Sequence, residues 1–194
     1  MTRSLAWSVN TAAGDTMEPT EFERLQGRVA EHGREAKDVG AGGLCQYQAF
    51  AHQIRTRFRH LFWGASTCTW QQVCSHMADW LARNKVHGGV DLSETLVTGV
   101  EWDGHSWDDY VNRVRQGRVW GNELTIHAFV HFSKTPVRVW TSRKGDEVVW
   151  NEINPVGYDS THPVTAIDLG HVVENHYVSV IQRRDVPGQD KEDD

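Results

Sequence analysis

The stretch Val39-Gly40-Ala41-Gly42-Gly43-Leu44-Cys45-Gln46-Tyr47-Gln48-Ala49-Phe50 decides how the rest of the chain is read. A glycine-rich turn runs into a segment in which Tyr47, Phe50, Ile54 and Phe58 recur every three or four residues, the spacing of one helix face. Cys45 therefore opens a helix. A thiol there sits among backbone N–H groups without helical partners and at the positive end of the helix dipole, and both favour the thiolate. Gly42 and Gly43 let the backbone come close to a substrate carbonyl, and their amides, with that of Cys45, can hold an oxyanion. Composition alone does not make this a site, since a free cysteine is more often a small core residue than a nucleophile.

Outward from this turn the chain divides by period. Residues 1–17 lack sustained periodicity and are expected to be a flexible arm. From Pro19, the residues Phe22, Leu25 and Val29 predict a helix to about Gly33. Downstream, Thr69 caps a helix with the apolar face Val73, Met77, Trp80 and Leu81, and Ser106 caps another containing Trp107, Tyr110, Val111 and Val114. A further helix from Asn122 presents Leu124, Ala128 and Phe132, and Thr135-Pro136 closes the helical half.

Beyond it the pattern is that of strands. Val137 and Val139, then Val148-Val149-Trp150, flank the turn Lys144-Gly145-Asp146 and predict a hairpin. Another strand is expected near Val164 to Leu169, and His176 opens the last one, through Ile181. Residues 184–194 are polar and acidic and are expected to be a disordered tail. Helices followed by strands predict an α+β domain over 18–183, its helical N-terminal half packed on a small, mainly antiparallel β-sheet from the C-terminal half.

The 194 residues are enough for one domain with a real core, and 39% hydrophobic with 24% charged residues is ordinary for a globular protein. No run approaches the roughly 18 uncharged apolar residues of a membrane span, and the N-terminus has no apolar run of a secretory signal. A monomer in the cytoplasm is expected, with the nucleus, or the host cytosol for a pathogen's protein, as further places. Cys45, Cys68 and Cys74 are an odd number without a CxxC pair, which supports neither a disulfide framework nor a cysteine zinc site. A formal charge of −6 argues against nucleic acid and for a basic protein partner. The nine tryptophans read first as packing.

A nucleophilic thiol needs a base, and His176, far downstream at a strand start, is the candidate. Here resemblance adds what composition lacks. Gly42-Gly43-Leu44-Cys45-Gln46-Tyr47-Gln48-Ala49-Phe50 resembles the nucleophile motif of the ovarian-tumour (OTU) deubiquitinases, which are papain-like cysteine peptidases. Val119-Trp120-Gly121-Asn122-Glu123-Leu124-Thr125-Ile126-His127-Ala128 resembles the family's Trp-Gly segment and the helix after it, and Pro136-Val137-Arg138-Val139 its next strand. Asn175-His176-Tyr177-Val178-Ser179-Val180 resembles its terminal His-Tyr-x-Ser-Val strand. The likeness covers about residues 25–182, and ordered motifs at family-like spacing are more specific than any one of them.

The resemblance implies hydrolysis of the isopeptide or peptide bond after the di-glycine tail of ubiquitin or a ubiquitin-like modifier, with those conjugates as partners and no cofactor or metal. Cys45 is then the nucleophile, His176 the general acid and base, the amides of Gly42, Gly43 and Cys45 the oxyanion hole, and Trp120, Gly121, Asn122 and Tyr177 the substrate-binding positions. Two positions depart from the family pattern. Gly42 replaces an acid three residues before the cysteine, and Val178 replaces an Asn or Asp two residues after the histidine, where a side chain facing the groove would reach the imidazole. Asp38, Asp168, Glu174 and Asn175 are left as candidates for the third member of a triad. Adjacent residues on a strand face opposite ways, which counts against Asn175.

Two other classes of function fit the same residues: a ubiquitin-binding pseudoenzyme, and a cysteine peptidase or acyltransferase on an unrelated substrate. His127 and His131 stand i, i+4, a zinc spacing, but lack the glutamate of the metalloprotease motif and read as surface or partly buried histidines. Asp103, Asp108 and Asp109, near Trp102 and Trp107, suit either the basic tail of ubiquitin or the start of a helix. Cys68 and Cys74 read as structural.

Overall fold

Among the described residues, side-chain caps start four of the five α-helices. Thr20 and Glu23 form a capping box at α1 (Glu21–Ala30), and Thr69 and Gln72 do the same at α3 (Trp70–Arg83). Ser106 accepts from the Asp109 amide at α4 (Trp107–Arg115), whose first turn holds Asp108 and Asp109. Asn122 and Thr125 cap each other's backbone at α5 (Glu123–Ser133). By contrast α2 (Cys45–Thr56) follows Leu44 with no side-chain cap. The computed structural model describes residues 18–40, 42–61, 65–96, 106–145, 149–161, 164–172 and 176–183. The expected arm 1–17 and tail 184–194 lie outside the described residues, as do Trp102, Asp103, Glu174 and Asn175.

The strands are β1 (Arg34–Lys37), β2 (Val86–His87), β3 (Val90–Asp91), β4 (Val137–Thr141), β5 (Trp150–Ile153), β6 (Ile167–Val172) and β7 (His176–Gln182). A five-stranded sheet has the order β1-β7-β6-β4-β5, and β2 and β3 make a separate small hairpin. Three of its four pairings are antiparallel, and β4 with β6 is parallel. This is the mainly antiparallel sheet the sequence predicts, with one correction: the edge strand β1 comes from the N-terminal half. Its residues Arg-Glu-Ala-Lys carry no strand composition, and pairing with β7 makes them a strand. The sheet also starts later than expected at β6, because Val164 is half-exposed and the buried run begins at Ala166 and Ile167.

The sheet separates two cores. On one face Tyr47, Phe50 and Ile54 of α2 join Met77 and Leu81 of α3, Phe129 of α5, and Ile167 and Leu169 of β6. Phe50 stacks on Phe129 with ring centroids 3.9 Å apart. On the other face Leu25 and Val29 of α1 pack on Trp140, Val178 and Val180. Gly170 is needed between them, since a Cβ there would run into Leu25 and Val178. Among the described residues no helix is long and apolar enough to cross a membrane.

Candidate active site

The turn before α2 is built by close approach. Gly42 has φ +72°, a left-handed conformation costly to any residue with a Cβ, and one turn of 3₁₀ helix (Gly42–Leu44) delivers the chain into α2. A Cβ on Gly40 would overlap the Gln48 amide, and one on Gly43 would meet the Trp120 indole at 3.0 Å. Cys45 lands at the first position of α2 with 2% of its surface exposed.

Strand β7 lies over that thiol. The Tyr177 backbone N–H donates to Cys45 Sγ at 3.3 Å, which brings the first residues of β7, His176 among them, to the Gly42–Cys45 turn. Antiparallel pairing runs β1 toward the same place: Lys37 stands opposite Ser179, so the next residue, Asp38, arrives beside the start of β7. Asp38 Oδ1 is 3.3 Å from His176 Nε2, in side chains 58% and 31% exposed respectively. The contact does not have hydrogen-bond geometry and is an ion pair only when the ring is protonated; among the described residues Nε2 has no hydrogen-bond partner. Asp38 Oδ1 also accepts from the Gly40 amide at 3.2 Å, tying the turn to the carboxylate.

Asp168, also a candidate for the imidazole, is elsewhere. His176 pairs with Val172, four residues along β6, and the Asp168 carboxylate accepts from Trp140 Nε1 at 2.9 Å and from Arg34 Nη1 at 2.6 Å. Arg138 adds an ion pair at 3.6 Å. Burial pushes the Asp168 carboxyl above its ordinary range, and the Trp140 N–H and the guanidiniums of Arg34 and Arg138 pull it back. It is a tie between β1, β4 and β6.

The expected substrate-binding positions separate likewise. Trp120 is 46% exposed beside Gly43 and is open to a ligand. Gly121 gives room to Gln46, and Asn122 is consumed as the cap of α5. The Tyr177 side chain is buried and stacked on His171 at 4.7 Å between centroids, and it is the backbone N–H of this residue that meets the thiol. Sequence reasoning missed Gln46. It stands one turn before Phe50 on the inward face of α2, where a glutamine breaks the apolar pattern, and that break was the available signal.

Cys68 and Cys74 are buried; burial raises the Cys68 thiol and pushes Cys74 up to about 12, so both stay protonated. His131 is buried rather than superficial, stacked against Trp80 at 5.4 Å and 4.3 Å from the His87 ring centroid. Among the described residues no group of three or more His, Cys, Asp or Glu side chains could hold a metal ion.

The fold is that of an OTU domain. The OTU domain of OTUD1 matches it with a TM-score of 0.58 at 16% identity, over 84% of this chain and 95% of that one. An OTU deubiquitinase from Wolbachia pipientis wMel, bound to ubiquitin, matches at 0.51 and 11% identity, over 78% and 98%. Among curated proteins the chain is similar to deubiquitinase OTUD6B of Xenopus laevis, 23% identical over 164 residues that make 84% of this chain and 51% of that protein. It thus spans about half the length of the curated relatives it matches, the Xenopus tropicalis protein included. No family model matches the chain.

Proposed function

We propose that this domain is a cysteine-type deubiquitinase. One observation carries the reading: the Tyr177 amide on Cys45 Sγ seats the His176 end of β7 over a thiol at the start of a helix with no side-chain cap. In the proposed reaction the Cys45 thiolate attacks the carbonyl of the C-terminal glycine of ubiquitin or a ubiquitin-like modifier. The amides of Gly42, Gly43 and Cys45 receive the oxyanion, His176 protonates the leaving amine, and water then releases the acyl-enzyme with His176 as base. Asp38 takes the place of the missing orienting acid, because it is the described candidate that reaches the imidazole. The 2% exposure of Cys45 supports a slender acyl donor, and a Gly-Gly tail is the thinnest a polypeptide offers.

The test is ubiquitin carrying a C-terminal electrophile. The expected result is one covalent adduct, mapped to Cys45 by mass spectrometry and absent in Cys45→Ala, together with cleavage of a fluorogenic ubiquitin-tail substrate. An adduct without turnover would instead identify a ubiquitin-binding pseudoenzyme, and no adduct at all would remove ubiquitin as the substrate.

A further inference from the structure

A cleft of about 330 Å³ lies beside the Gly42–Cys45 turn, between α2 and the start of α3. Gln48, Ala51 and Arg55 line it from α2, recurring every three or four residues, so they form one helix face that begins a single turn after Cys45. Trp70 and Gln71 line it from α3, and Val39, from the chain just before the turn, closes one end. Val39 is the neighbour of Asp38, which stands 3.3 Å from His176 Nε2. The cleft thus opens on the imidazole side of the turn, while Trp120 flanks the turn at Gly43.

The walls decide what the cleft would take. Arg55 is the charged residue of the lining and is half-buried. Its Nη1 donates to the Cys68 carbonyl at 2.6 Å, which pins the guanidinium near the start of α3, and among the described residues no carboxylate pairs with it. A guanidinium that holds a carbonyl but no anion retains donors for a carboxylate. Gln48 Oε1 is buried without a hydrogen-bond partner among the described residues, its amide lying against Gly40. An unbonded polar group of this kind is costly, and a rotation of the amide would present it to a peptide N–H in the cleft. The Trp70 ring adds a flat apolar wall, fixed where a Cβ on Gly117 would meet it at 2.6 Å.

In the reaction proposed above the amine leaves toward the imidazole that protonates it, so the chain bearing that amine departs on this side. We propose that the cleft is a subsite for that chain: it takes the residues flanking the acceptor lysine, and Arg55 makes it favour an acidic side chain among them. From Cys45 to Arg55 is about 15 Å along the helix axis, the reach of a lysine side chain and roughly two or three extended residues. The inference rests on the deubiquitinase reading.

The test uses ubiquitin joined through its C-terminus to the lysine of a short peptide, with either Glu or Lys at the second and third residues on both sides of that lysine. The readout is the ratio of kcat/KM for the acidic and the basic peptide within one protein, from which a general loss of activity or folding cancels. The unaltered protein is expected to favour the acidic peptide about fivefold at low salt, and less at high salt. Arg55→Gln, which keeps a donor for the Cys68 carbonyl, should bring the ratio to within about twofold of unity. Gln71→Glu adds a carboxylate at an exposed position in the first turn of α3, where acids are favoured, and should lower the ratio without lowering Tm. A ratio near one in the unaltered protein, or a ratio that neither substitution moves, would overturn the subsite. The fluorogenic ubiquitin-tail substrate, with no polypeptide beyond the scissile bond, separates the two readings. A protein that cleaves it without discriminating between the peptides loses the subsite alone, whereas one that cleaves no ubiquitin substrate loses the deubiquitinase reading as well.

Discussion

Asp38 and Asp168 show how position decides what a carboxylate does. Asp168 is 1% exposed and held by an indole N–H and two guanidiniums, whereas Asp38 stands at the rim of the site against His176. The two are expected to fail differently when altered. Asp38→Ala should lower kcat/KM by about one to two orders of magnitude with little change in thermal stability, because an orienting group acts on the imidazole and supports no core. Asp168→Asn should lower Tm and leave kcat/KM of the folded protein intact, because Arg34 and Arg138 lose the charge they are buried against. Enzyme assays with matched melting curves read both, and a loss of activity in Asp168→Asn at full folding would reverse the assignment. The sequence offers Asp38 as one candidate among four. It does not single Asp38 out, because the contact depends on a pairing between β1 and β7 that Arg-Glu-Ala-Lys does not announce.

Strand β7 carries two tasks on two faces. Tyr177 and Ser179 turn toward α2, where the Ser179 hydroxyl meets His52 Nδ1 at 2.9 Å, while Val178 and Val180 turn toward α1. Val178 is fully buried there, so the idea that it faces the groove, open to an orienting side chain, is corrected by its packing on Leu25 and Val29. Val178→Asn is accordingly expected to destabilise by about 3 kcal/mol, the cost of an unpaired amide plus lost packing, with no gain in activity. Chemical denaturation checks it, and a stable variant with raised kcat/KM would restore the groove-facing orientation. Legibility differs by element for the same reason. The five helices of the described residues could be read because caps and apolar spacing are local: Thr69, Ser106 and Asn122 each sit one residue before the helix they start, and the first helix, read from Pro19, starts at Glu21 with Thr20 as its cap. The parallel pairing of β4 with β6 and the hairpin of β2 with β3 could not, since neighbours distant in sequence set the first and two-residue strands leave no periodicity in the second.

At the scale of the whole molecule, buried and half-buried imidazoles shape the response to acid. Burial, with neighbouring His87, His127 and Lys134, lowers His131 from 6.5 to about 4, and burial also lowers His52 and His171. A folded value below the unfolded one means that the unfolded chain takes up the proton first. The stabilisation is complete above about pH 6.5 and is lost as pH falls toward 4, with a slope of at most about 1.4 kcal/mol per unit for each such histidine. Urea unfolding between pH 7 and pH 4 should show this decline, reduced in His131→Phe, and a flat profile would contradict it. The sheet order has a different consequence, in time. Strand β7 is the last described strand in the chain, yet it fills the slot between β1 and β6. A nascent chain emerging from the ribosome up to residue 172 already owns its thiol but has no imidazole to set against it, and two strand edges stand open where β7 will go. In the proposed mechanism the nucleophile therefore meets its base only once β7 has been made and has entered the sheet.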